Sequence, residues 1–163
     1  MLIWEILANG CYGVNTMTND EFISAMQGVP WRLHASSLDA ADCWGVVVLY
    51  YLLVHGVELA DTHSMSMEDG ITAQMKTGCW EEVYAPEDGV TFMSYRDGHP
   101  THCGVIIGDK VLHSGGCQQH LGYCRLDRLE AMRRLYPDMR FFRLISSLRA
   151  ESVNELANKE PTK

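Results

Sequence analysis

Asp42-Cys43-Trp44-Gly45-Val46-Val47-Val48-Leu49-Tyr50-Tyr51-Leu52-Leu53-Val54 is the stretch on which the fold turns. Its residues are apolar at nearly every position, so periodicity does not separate a buried strand from a buried helix. Length does: about thirteen residues exceed an ordinary strand, which predicts a helix packed on all its faces. Gly56 follows as a natural C-terminal stop.

Upstream, Thr18-Asn19-Asp20-Glu21 has the Thr-x-x-Glu pattern of a capping box, and Phe22, Ile23 and Met26 continue at helical spacing. A helix over about 19–27 is expected, stopped by Gly28 and Pro30. Residues 28–41 read as a loop, and the first ten residues either pair as an edge strand or lie irregularly. Downstream, Met67, Ile71 and Met75 predict a helix over 66–76 that Gly78 ends. The character of the chain then changes. Val90–Met93 and Cys103–Ile107 read as strands, Gly108-Asp109-Lys110 as a turn, and Val111–His113 as the return strand. Asp127-Arg128-Leu129-Glu130 offers a second capping box, opening a helix that Pro137 closes, and Arg140–Leu144 reads as a last strand. Helices first and antiparallel strands after predict an α+β fold rather than alternating βαβ units. One domain over 1–146 is expected, followed by a polar tail over 147–163, either a frayed helix or flexible.

The 163 residues suit a single domain, and 47% hydrophobic with 21% charged residues suits a folded one. The formal charge of −8 argues against nucleic acid or a membrane surface as partner, and no run of about 18 apolar residues predicts a membrane-spanning helix. The six cysteines (Cys11, Cys43, Cys79, Cys103, Cys117 and Cys124) are read as mostly reduced thiols, because the N-terminus lacks the features of an export signal.

Cys43, His102 and His113 are the candidate catalytic residues. Cys43 opens the apolar helix, where unpaired backbone N–H groups carry partial positive charge and favour a thiolate. The neighbouring Asp42 carboxylate opposes it, so a histidine is needed to generate the nucleophile. His102 begins one predicted strand and His113 ends the next, and a hairpin centred near residue 109 brings both to one end of the sheet. One imidazole then takes the thiol proton while the other orients the first.

The words around these residues resemble a family. Asp42-Cys43-Trp44-Gly45-Val46-Val47 and His102-Cys103-Gly104-Val105-Ile106-Ile107-Gly108, with Leu112-His113-Ser114 after them, resemble the blocks of the NlpC-type papain-like cell-wall cysteine peptidases. Gly28-Val29-Pro30-Trp31 resembles their Gly-x-Pro-Tyr/Trp segment, and Trp44 together with Phe141-Phe142-Arg143 resembles the phage tail-associated branch. The resemblance implies a papain-like fold, its helices packed on an antiparallel sheet, and hydrolysis of peptide or amide bonds in peptidoglycan stem peptides without a cofactor. It implies Cys43 as nucleophile, His102 as general base and then acid, and His113 as the orienting residue. Trp31 stands where many members carry a Tyr near the oxyanion site, and Asp42, Trp44 and His34 are placed with it at the cleft or oxyanion site. Synthesis in the host cytoplasm, docking to tail-tip proteins and action at the bacterial wall from the virion tail follow from that branch.

Three other functions stay open on the sequence. A zinc-stabilised structural module would use Cys117, His120 and Cys124, with Cys103 or Cys79 as fourth ligand, although no Cys-x2-Cys knuckle is present. A catalytically silent tail-assembly protein would keep the fold and lose the activity. An acyltransferase or thioesterase on the same type of fold would act on thioesters.

Overall fold

The computed structural model describes residues 16–59, 67–136 and 138–145. Helices α1 (Asn19–Met26), α2 (Cys43–His55) and α3 (Met67–Lys76) come first. Strands β1 (Trp80–Val83), β2 (Thr91–Arg96), β3 (His99–Ile107), β4 (Lys110–Cys117) and β5 (His120–Arg128) follow, then α4 (Leu129–Leu135) and β6 (Met139–Leu144). The strands form one antiparallel sheet in the order β1-β6-β2-β3-β4-β5. The predicted α+β class is the observed one. The first ten residues and the tail beyond 147 lie outside the described residues.

Local chemistry accounts for the helices. Thr18 Oγ1 accepts from the Glu21 N–H, and the Glu21 carboxylate accepts from the Thr18 N–H at 2.8 Å, closing the expected capping box of α1. Asp42 caps α2 through a 2.7 Å bond from the Gly45 N–H, and Gly56 ends it at φ 66°, a conformation that favours glycine. The prediction that α2 is covered on every face holds for its first turns only. Val46, Val47 and Tyr50 are buried, while Leu52 and His55 emerge into solvent. No helix among the described residues is long and apolar enough to cross a membrane.

The sheet is covered on both faces. On one, Met93, Cys103, Val105, Leu112 and Phe142 pack against Val46, Val47 and Tyr51 of α2 in the larger core. On the other, Phe92, Ile106, Val111 and Phe141 enclose Met132 of α4. Burial of each such large side chain contributes roughly 1.5–3 kcal/mol.

Three expectations are corrected. The predicted strands are cores of longer ones, so His102 and His113 sit inside β3 and β4 rather than at their ends. β1 and β5 had no counterpart in the sequence reading. Trp80 is buried between Trp44 and Tyr51. The second capping box does not form: Asp127 belongs to β5, and α4 starts after Arg128 with no side-chain cap.

Candidate active site

The first turn of α2 is held by the loop before it. Asp42 takes the Gly45 N–H on one carboxylate oxygen and the His34 N–H, at 2.8 Å, on the other. The Asp42 N–H returns to the Ala35 carbonyl at 3.0 Å. Gly45 permits this approach, since a Cβ there would lie 2.0 Å from the Ala35 oxygen. Ser114 of β4 donates to the Ala41 carbonyl at 2.7 Å and ties the loop to the sheet. Burial pushes the Asp42 carboxyl upward, and the adjacent Cys43 adds to it.

Cys43 is thereby set against β3, 4% exposed. Its thiol is held well below the ordinary cysteine range, first by a side-chain hydrogen bond from Cys103 and further by the hydrogen bond and charge of His102, against the opposing effect of burial. Cys103 moves the other way, well up, because it is buried and bonded to Cys43. The proton is thus shared out with the charge favoured on Cys43.

The two imidazoles meet across β3 and β4. The register pairs Val105 with Leu112, and one step further sets Gly104 opposite His113. A Cβ on Gly104 would lie 2.7 Å from the His113 Cβ and 2.8 Å from the Phe92 ring. Its absence leaves the space in which the His113 ring turns to His102: His102 Nε2 and His113 Nδ1 are 2.9 Å apart. Tyr136 stacks on His102 with ring centroids 4.8 Å apart and planes 18° apart, holding the ring's plane. His113 is 1% exposed, and its Nε2 lies 3.0 Å from Asp127 Oδ2, which is also ion-paired with Arg125 Nε at 2.6 Å. Burial, reinforced by the charge of His102, lowers the His113 pKa to about 4.

A cleft of about 420 Å3 opens beside His102, lined among others by Tyr136, Ser94, Arg96, Gly115 and Gly116. Trp31 stands at its edge, because a Cβ on Gly116 would come within 2.6 Å of the indole. The structure therefore brings Cys43, His102 and His113 together, with Asp42 beneath the helix N-terminus and Trp31 beside the cleft. It does not bring the other two expected cleft residues. Trp44 packs inward on Trp80, with ring centroids 6.4 Å apart. His34 is exposed, and what reaches the site is its backbone N–H, from a residue at φ 60°. The zinc alternative also fails on placement. Cys117 pairs with His120 at one end of the β4–β5 ladder, while Cys124, four residues along, pairs with Ser114 and is buried. That is roughly 13 Å of strand, and among the described residues no group of three His, Cys, Asp or Glu side chains is arranged to hold a metal ion.

Sequence reasoning missed Asp127, Arg125 and Tyr136. Arg125 and Asp127, two apart, share one face of β5, a period-two signal that the apparent capping box obscured.

No family model matches the sequence, and no curated protein matches it. Among solved structures the fold is similar to the NlpC/p60 domain of the peptidoglycan hydrolase SagA, with a TM-score of 0.52 and 16% identity, covering 74% of this chain and 92% of that one. The likeness supports an NlpC-type fold for this chain.

Proposed function

We propose that the protein is a thiol hydrolase that cleaves peptide or amide bonds in peptidoglycan stem peptides. The observation that carries this reading is the Cys43 thiol at the N-terminus of α2, bonded to His102, whose Nε2 lies 2.9 Å from His113 Nδ1. In the reaction the Cys43 thiol gives its proton to His102, and the thiolate so formed attacks the scissile carbonyl. The oxyanion is stabilised by the partial positive charge at the start of α2, and His102 returns the proton to the leaving amine. Water, deprotonated by His102, then hydrolyses the thioester and frees Cys43. Peptidoglycan as substrate is supported by the fold shared with a peptidoglycan hydrolase domain.

The test is release of new amino groups from purified peptidoglycan. Wild-type protein should release them, and Cys43→Ala should lower the rate at least about a thousandfold while its circular dichroism is unchanged. Equal release by both proteins removes Cys43 as nucleophile. Acyl thioesters assayed alongside should be hydrolysed far more slowly than wall peptides.

The resemblance of Trp44 and of Phe141-Phe142-Arg143 to the tail-associated branch supports a finer reading, in which the protein is made in the host cytoplasm and delivered on a phage tail tip. A chain of net charge −8 gains little attraction to an anionic wall, so docking to a tail protein supplies the local concentration. Mass spectrometry of purified virions should find the chain with the tail fraction; its confinement to the lysate refutes the delivery route. One observation favours a silent assembly role on the same fold, the 4% exposure of Cys43. A rate for the wild type equal to that of Cys43→Ala is the result that reading requires.

A further inference from the structure

We infer that Asp127 is a positioning residue that sets the direction of hydrogen donation through both imidazoles, so that His102 presents a lone pair to Cys43. The step rests on the hydrolase reading for its consequence, and on hydrogen-bond geometry for its content.

A carboxylate flanked by a guanidinium has only lone pairs to offer. Asp127 Oδ2 is ion-paired with Arg125 Nε at 2.6 Å and stays ionised, so its 3.0 Å contact with His113 Nε2 requires the ring to donate there. A neutral imidazole has one N–H, and His113 is buried with a pKa near 4, hence neutral around pH 7. Its single proton is therefore on Nε2, and Nδ1 is left as an acceptor. The 2.9 Å contact between His113 Nδ1 and His102 Nε2 then requires His102 to donate. With Nε2 engaged by His113, Nδ1 is the ring nitrogen left for the Cys43 thiol, to which His102 is bonded. It carries the lone pair that receives the proton. Reversed, the chain would fail: a proton on His113 Nδ1 would move the His102 proton to Nδ1, where it would point at the sulfur and could accept nothing.

The groups facing this chain are few. His113 faces His102 from β3 and Asp127 and Arg125 from β5. The thiol faces Cys103 and His102 from β3, with Asp42 beside it and Tyr136 opposite.

The sign of one shift separates this role from a through-space one. Removing a negative charge by field alone lowers a thiol's pKa. Breaking the relay raises it, because His102 no longer presents a fixed acceptor. The rate of Cys43 alkylation by iodoacetamide against pH, read by mass spectrometry on the intact protein, should show a midpoint in Asp127→Asn higher than wild type by about one pH unit, a tenfold loss of thiolate at fixed pH. Asp127→Glu, which keeps an acceptor-only group, should lie between the two. An unchanged or lowered midpoint in Asp127→Asn overturns the inference. Nitrogen NMR shifts of the wild type test it without any variant: His113 must be the Nε2–H tautomer, and an Nδ1–H ring overturns it. Should wild-type Cys43 alkylate no faster than Cys117, the hydrolase reading fails, while the tautomer measurement still decides the polarity.

Discussion

Gly104 decides whether the two histidines meet. It lies in β3 two residues after His102 and opposite His113. A Cβ there would stand 2.6 Å from the Leu112 carbonyl oxygen, as well as against His113 and the Phe92 ring. Two of these neighbours are backbone or the root of a side chain, so they cannot swing aside. Gly104→Ala is therefore expected to cost about 1–3 kcal/mol in urea unfolding, as overpacking does, and to separate the imidazoles. Amino-group release should fall at least tenfold in protein that remains folded. Gly116→Ala makes a different comparison. Its Cβ would meet the Trp31 ring at the edge of the cleft, not the His102–His113 pair. That change should raise KM more than it lowers kcat.

At the scale of elements, the start of α2 is a cap with two tasks. Asp42 satisfies the Gly45 N–H of the helix and the His34 N–H of the preceding loop, one with each oxygen. Asp42→Ala should destabilise the protein by about 2 kcal/mol, a lost cap plus a second hydrogen bond. Asp42→Asn should rescue little of it, because an amide faces two donors with only one acceptor; full recovery of the urea midpoint would show that one of the two bonds contributes nothing. The same element shows what a sequence reveals. Asp42, the unbroken apolar run and Gly56 are local signals, and they locate α2 without knowledge of its surroundings. The Thr18 box is legible for the same reason: it lies in solvent, and among the described residues no distant group competes for its hydroxyl or for Glu21. Asp127 and Glu130 spell an equally good box, yet His113 from β4 and Arg125 take the Asp127 carboxylate. A long-range partner overrides a local pattern there, and the sequence alone does not register it. β1 escaped notice because Glu81 and Glu82 give it no apolar alternation and its partner, β6, is far along the chain. The hairpin brings the two histidines together on the sequence, but their contact with Cys43 gains its support from the resemblance of the surrounding words, since spacing alone says nothing about contact between a helix and a strand.

Across the whole molecule, the sheet and the site share one device. The β5 edge is closed by the segment before α2: Cys124 N–H donates to the Val29 carbonyl at 2.7 Å, and Gly28 and Trp31 N–H groups donate back to Cys124 and Gly122. That closure protects the edge from pairing with another chain and brings Trp31 to the cleft. Behind it His113 is enclosed as a neutral ring, which ties global stability to pH. The unfolded chain protonates this histidine below about pH 6.5, whereas the folded chain refuses the proton until about pH 4. Between those values the unfolded state binds more protons, so stability falls as pH falls; above the window the term vanishes, and below it the loss is complete at about 3 kcal/mol. His113→Gln cannot titrate. Its stability deficit relative to wild type in urea should be largest at pH 7 and shrink by about 2–3 kcal/mol by pH 4. The other acidic and basic groups titrate in both proteins and largely cancel in the difference. A deficit that stays constant from pH 7 to pH 4 would mean that His113 takes up its proton in the fold as readily as in the unfolded chain. A charged His113 would carry protons on both nitrogens and leave His102 Nε2 facing a donor, and the donation from Asp127 toward Cys43 would lose its direction.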